Sequence, residues 1–136
     1  MNASTTTNPI LPLIGRLLMG LLFLVYGVIK FTSIPGTTGY MGKLGLPSPE
    51  LFAYLAAIIE FAGGLLIIIG WQTRRVAWAL MVYTLIATGL AHRFWDYSDP
   101  GARGAQMVNF FKNLAIMGGF FFMALFGPGS ASIDKS

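Results

Sequence analysis

Glu60 is the one acid within the apolar run from Leu51 to Gly70, nine residues from its start. As a helix this run would carry the carboxyl about 14 Å in, close to the middle of a bilayer. An ionisable group in hydrocarbon is expensive and needs a reason. Glu60 can carry a proton, hydrogen-bond a polar ligand, or lock helices together as one end of a buried ion pair. Lys112 sits inside a second apolar run, between Asn109 and Asn113. The i, i+4 spacing of the asparagines puts both amides on one helix face. Amides in a membrane helix commonly bridge to another helix, but a cation beside them also suits an anion or a carbonyl oxygen. Lys30 and His92 each close a further apolar run, and imidazole is the side chain best suited to exchanging protons near neutral pH. Glu60 and His92 are therefore the candidates for handling protons. Lys30, Asn109, Lys112 and Asn113 are the candidates for binding a ligand.

The remaining chemistry is narrow. There is no cysteine and a single histidine, which excludes disulfides, iron–sulfur ligation, thiolate zinc and a bis-histidine haem. No Rossmann or P-loop glycine pattern is present, and no cluster of His and carboxylates suggests a metal. A covalently held cofactor is not expected; if the chain takes part in electron transfer, a bound quinone must be the redox group. The formal charge of +4 comes from nine Lys and Arg scattered among apolar runs. That is not a phosphate-binding patch, so no nucleic acid is expected.

The positioning elements follow from composition. Of 136 residues 55% are hydrophobic and only 10% charged, against about 25% charged in a soluble domain, and mean hydropathy is +0.69. Four apolar runs, about residues 10–31, 51–70, 76–92 and 106–126, are expected to span a lipid bilayer as helices. Leu114 to Phe126 offers no polar face for a soluble bundle. The first run lacks a basic n-region and an Ala-x-Ala site, so it reads as a mature helix and not a signal peptide. The fold class is all-α: an up-down-up-down four-helix membrane domain over 10–126, with polar tails at 1–9 and 127–136. Residues 32–50 and 93–105 read as long loops on one side, and residues 71–75 as a tight turn on the side of both termini. Counting Lys135, the Lys and Arg totals of the two sides nearly tie. Arg74 and Arg75 in the shortest loop favour cytoplasmic termini.

On the first helix Arg16, Gly20, Phe23, Gly27 and Lys30 form one stripe. Gly63 and Gly64 share the Glu60 face of the second. The two glycine faces are expected to meet, turning Lys30 and Glu60 into the bundle, while Arg16 reads as an interfacial anchor or as packing against the tight turn.

These residues carry a resemblance. The stripe from Arg16 to Lys30-Phe31, then Glu60-x-x-Gly63-Gly64, His92-Arg-Phe-Trp95 and Asn109-Phe-Phe-Lys112-Asn113 resemble, in that order, the DoxX family of small four-helix membrane proteins over about residues 12–126. The resemblance implies a bacterial or archaeal cytoplasmic membrane protein, and a quinone-linked component of an oxidoreductase system. Under it, Glu60 or His92 would manage protons, while Lys112, Lys30 and the asparagines would hydrogen-bond quinone oxygens. Two other functions fit the residues: an accessory subunit docking a redox partner or a second copy of itself, and a binding or transport protein for a small phenolic or quinone-like amphipath.

Overall fold

The computed structural model describes residues 8–134, so residues 1–7 and 135–136 of the expected tails lie outside the described residues. Five α-helices follow in order: α1 Ile10–Thr32, α2 Ile34–Lys43, α3 Pro49–Ile69, α4 Thr73–Ala91 and α5 Pro100–Phe126, with a 3-10 turn at Phe94–Asp96 before α5. Four of them, α1, α3, α4 and α5, are long and apolar enough to cross a membrane. They run up and down as expected. The connections holding α2 and the 3-10 turn share one end of the bundle (the loop end), and the tight turn, Asn8 and Asp134 share the other (the terminal end).

Two connections are more ordered than the sequence suggests. The 32–50 segment, expected as a loop, contains α2. Its sequence, with Gly36, Gly39 and Gly42, has poor intrinsic helicity. Tertiary packing supplies what propensity lacks: Met41 is buried on Ala53 and Ala56 of α3, with Leu44, Leu46 and Tyr83 around it. Helix α5 begins at Pro100 and not near Gln106. Asp99 accepts a hydrogen bond from the Ala102 N–H at 2.8 Å, and proline occupies the first turn, a strong helix start that outweighs Gly101 and Gly104.

The bundle is built from two closely packed pairs, α1 with α3 and α4 with α5. In the first pair the glycine faces do meet. A Cβ on Gly64 would run into the backbone of Leu24 and Gly20, and one on Gly27 would run into the backbone of Phe61. Gly63 instead faces Leu80 of α4. Phe23, Ile67, Ala77, Leu80, Phe120 and Ala124 form a dry core, with the Phe23 and Phe120 rings 5.3 Å apart. This core occupies the middle and terminal half of the bundle.

In lipid the last carbonyls of a helix find no water, so other groups must satisfy them. Arg74 donates to the Ala124 and Leu125 carbonyls at the end of α5. Arg16 does the same for α3: it donates to the Ile68 carbonyl at 3.2 Å and to the Ala131 carbonyl. At 1% exposure Arg16 is no lipid-facing anchor, which corrects the first of its two expected roles. The C-terminal segment is the reason. It folds back under α1 and α3, with Gly129 against Pro12 and the Asp134 N–H donating to the Gly70 carbonyl at 2.9 Å. The Asp134 carboxylate then accepts the N–H groups of Gln72 and Thr73, both at 2.8 Å. It thereby caps α4 from across the chain.

Partial burial by itself would raise the Asp134 carboxyl. The Thr73 and Gln72 N–H groups and the Arg16 guanidinium outweigh that and hold it below its ordinary value of 3.8. A depressed folded value means the cap is fully present above the unfolded value and is lost as pH falls through the folded one. Asp134→Asn, which turns an amide N–H toward one of the two donors, is expected to destabilise the protein by about 1 kcal/mol at neutral pH. The gap in melting temperature between wild type and variant in mild detergent should close below about pH 4. A gap that stays constant down to acid pH would show that the carboxylate is not the cap.

Candidate functional site

The loop half of the bundle is hollow. A cavity of about 550 Å³ is lined by the second half of α1, the first half of α3, the second half of α4, the first half of α5, and Tyr40, Met41, Leu44 and Leu46 in or just beyond α2. Its size falls within the usual range for small-molecule sites. Ala56, Ala87 and Ala91 on its lining leave this space, whereas Phe120 fills the core toward the terminal end, and α2 packs on α3 beside it.

At its inner wall the Lys30 Nζ donates to Glu60 Oε2 at 2.8 Å, and the Tyr83 hydroxyl donates to Glu60 Oε1 at 2.6 Å. Both carboxylate oxygens are thus engaged, by groups from two different helices. Glu60 is 8% exposed, and its partners answer the cost of placing it there. Lys30 also lies over the Tyr26 ring, 5.5 Å from its centroid, a cation–π contact that leaves its remaining N–H groups free. The spacing of the α1 stripe turns Lys30 and the glycines onto one face. The backbone approach at Gly27 brings that face close enough for the lysine to reach α3.

On the α4–α5 side the asparagines divide. Asn113 donates through Nδ2 to Thr88 Oγ1 at 3.0 Å and ties α5 to α4. The Thr88 hydroxyl is oriented in turn by the Thr84 carbonyl at 2.6 Å. Asn109 accepts from Lys112 Nζ at 3.3 Å within α5. His92, at the outer end of α4, pairs through Nδ1 with Gln106 Oε1 at 2.8 Å. Because an amide oxygen only accepts, the ring donates and its Nε2 is left for another partner.

All of the residues singled out from sequence, Lys30, Glu60, His92, Asn109, Lys112 and Asn113, line this one cavity. Their hydrogen bonds fall into separate sets. Glu60 belongs to a Lys30–Glu60–Tyr83 chain, while His92 and Gln106 form a pair of their own. Tyr83 is the residue that sequence reasoning missed. A phenol in the middle of α4 is the available signal, and the search for charges passed over it. Tyr40 and Tyr26, also on the lining, escaped in the same way. Partial burial and the neighbouring Tyr97 raise the Tyr40 phenol above its ordinary value of 10.0, so it faces the cavity as a neutral hydroxyl.

The donor set suits a ring bearing carbonyl oxygens. Lys30, Lys112 and the Asn113 amide each keep N–H groups beyond those described, and the walls between them are Leu22, Phe23, Leu55, Ile59 and Ile116. The described residues hold no group of His, Cys, Asp and Glu that could ligate a metal.

Fold and site together define a multi-pass membrane protein with a mostly apolar cavity, bearing a few polar groups, in one half of a four-helix bundle. The chain belongs to the DoxX family, whose family model matches residues 11–93. It is 39% identical to the inner membrane protein YphA of Escherichia coli, over 94% of this chain and 91% of that one. To the inner membrane protein YqjF of the same organism it is also 39% identical, over 90% and 88% of the two chains. CatD of Bacillus subtilis, provisionally named an oxidoreductase, is 42% identical over 54% of this chain and 53% of its own. No solved structure matches. The expected location in the bacterial inner membrane agrees with the names of the two Escherichia coli relatives.

Proposed function

We propose that the cavity binds a quinone-class molecule and that the protein is a quinone-interacting component of a membrane oxidoreductase system. The observation that carries this reading is the facing of two walls across one apolar cavity. One wall is a hydrogen-bonded chain of three proton-exchanging groups, and the other offers amine and amide N–H groups. A quinone held there would supply the redox group that this chain's side chains lack.

Each residue has a definite task. Lys112 and Asn113 hydrogen-bond an oxygen on the α5 side, and Asn109 steadies the Lys112 amine. Lys30 donates from the α1 side. Glu60 holds Lys30 and Tyr83 in place, and its carboxylate is the group there that can take a proton, giving up its bond to one of them as it does. His92 stands at the outer end with Nε2 free to exchange protons with loop water. The apolar walls exclude water from the ring. The provisional name of CatD points the same way.

The test is mass spectrometry of small molecules retained after mild purification. Wild type is expected to keep close to one quinone per chain, with Glu60→Gln and Lys112→Met each losing most of it while eluting as the same folded species. Equal trace amounts in all three proteins would sink the reading and favour an accessory subunit or a carrier of some other molecule.

A further inference from the structure

The cavity is not electrically neutral. Its lining carries two lysines, Lys30 and Lys112, against one acid, Glu60. Lys30 and Glu60 cancel as a direct pair at 2.8 Å. Other lining groups cannot offset Lys112: Tyr83 and Tyr40 contribute neutral phenols, Asn109 and Asn113 are neutral amides, and His92 adds either nothing or a further positive charge. Lys112 is therefore a net cation whose hydrogen-bond partner is a neutral amide oxygen at the long distance of 3.3 Å. It lies about a turn in from the loop end, since the adjacent Asn113 bonds Thr88, a turn short of the end of α4, and its side chain is exposed while lining the cavity. A cation with no charged partner on the lining of a mostly apolar cavity attracts an anionic group on whatever the cavity binds.

We infer that the ligand supplies that counterion. The cavity's preferred ligand class is a flat, membrane-soluble molecule bearing one ionised oxygen, a hydroxyquinone enolate or a phenolate, with that oxygen on the Lys112 amine. This inference rests on the quinone-class reading above and narrows it. A neutral quinone satisfies the hydrogen bonds of Lys112 but leaves its charge uncompensated. The ionised hydroxy form satisfies both, and a charge-assisted hydrogen bond is worth about twice a neutral one.

A matched pair of probes tests it: 2-hydroxy-1,4-naphthoquinone, which is ionised at neutral pH, and its neutral 2-methoxy ether. Both are titrated calorimetrically into the full-length protein in phosphatidylcholine nanodiscs. The readout is the ratio of the two affinities. Wild type is expected to bind the anion about tenfold or more tightly than the ether. Lys112→Arg should keep that preference and Lys112→Gln should bring the ratio close to one, whatever either variant does to absolute affinity. Equal affinities in wild type overturn the inference while leaving the quinone-class reading intact. If neither probe nor a neutral menaquinone binds, the quinone-class reading falls as well. A preference that survives in Lys112→Gln moves the anion to another group and refutes the assignment. The same titration in phosphatidylglycerol nanodiscs separates the source of the anion. Each affinity is corrected for the probe's partition into protein-free discs, because an anionic surface repels the ionised probe by itself. A corrected preference that vanishes in phosphatidylglycerol makes the lipid headgroup the counterion and overturns the inference.

Discussion

Replacing Lys30 by methionine is expected to destabilise the protein by about 3 kcal/mol or more, since it strands the Glu60 carboxylate in a low-dielectric interior with only Tyr83 as a partner. The informative comparison is with the double variant Lys30→Met, Glu60→Met. Removing both charges should restore most of the lost stability, because an apolar pair of similar volume avoids the desolvation cost that the ion pair itself carries. Chemical unfolding of the four members of the cycle in mixed micelles measures the coupling. A double variant no more stable than the single would show that the pair does not link α1 to α3. Quinone retention should not recover in the double variant. That contrast separates the pair's structural contribution, which hydrophobic substitution can replace, from its part in the site.

Gly27→Val should have an effect of similar size by a different route. Its side chain would occupy the space of the Phe61 backbone. Backbone cannot yield as a side-chain tip does, so α1 and α3 must separate. Overpacking of this kind costs about 3 kcal/mol or somewhat more. Separation also pulls Lys30, one turn further along α1, away from Glu60, so ligand retention should fall together with stability. Gly118→Val on α5 is the control: nothing lies within 4 Å of a Cβ there, and neither quantity should change. Parallel melting curves and quinone analysis of both variants decide the matter. A stable Gly27→Val would mean that the close approach is not required.

These two predictions draw on features that were legible in the sequence. A lysine and a glutamate on glycine-lined faces of consecutive spans both turn into the bundle, because the glycines select which faces touch, though the pattern alone leaves Lys30 and Lys112 both in reach of Glu60. The apolar runs likewise define the spans, since a single segment satisfies its own backbone in lipid only as a helix. What escaped depends on partners distant in sequence. Helix α2 is held by Met41 on Ala53 and Ala56, and its own residues read as a loop. Tyr83 is an ordinary aromatic in its local sequence and becomes part of the site only because Glu60 lies opposite. Arg16 looks like an interfacial arginine until residues 128–134 close over it. Polar connections of this kind leave no periodic trace.

That closure bears on how the molecule is made. The first turn of α4 is capped by Asp134, and the final carbonyls of α3 are met by Arg16 together with the returning segment. Those residues leave the ribosome only after all four spans have been synthesised. Until then a newly inserted chain holds two helix ends incomplete, and the segment that follows α5 fastens the first helix in place. Completion of these two helix ends thus waits on the segment after α5, and a bulky insertion close behind Asp134 would burden it.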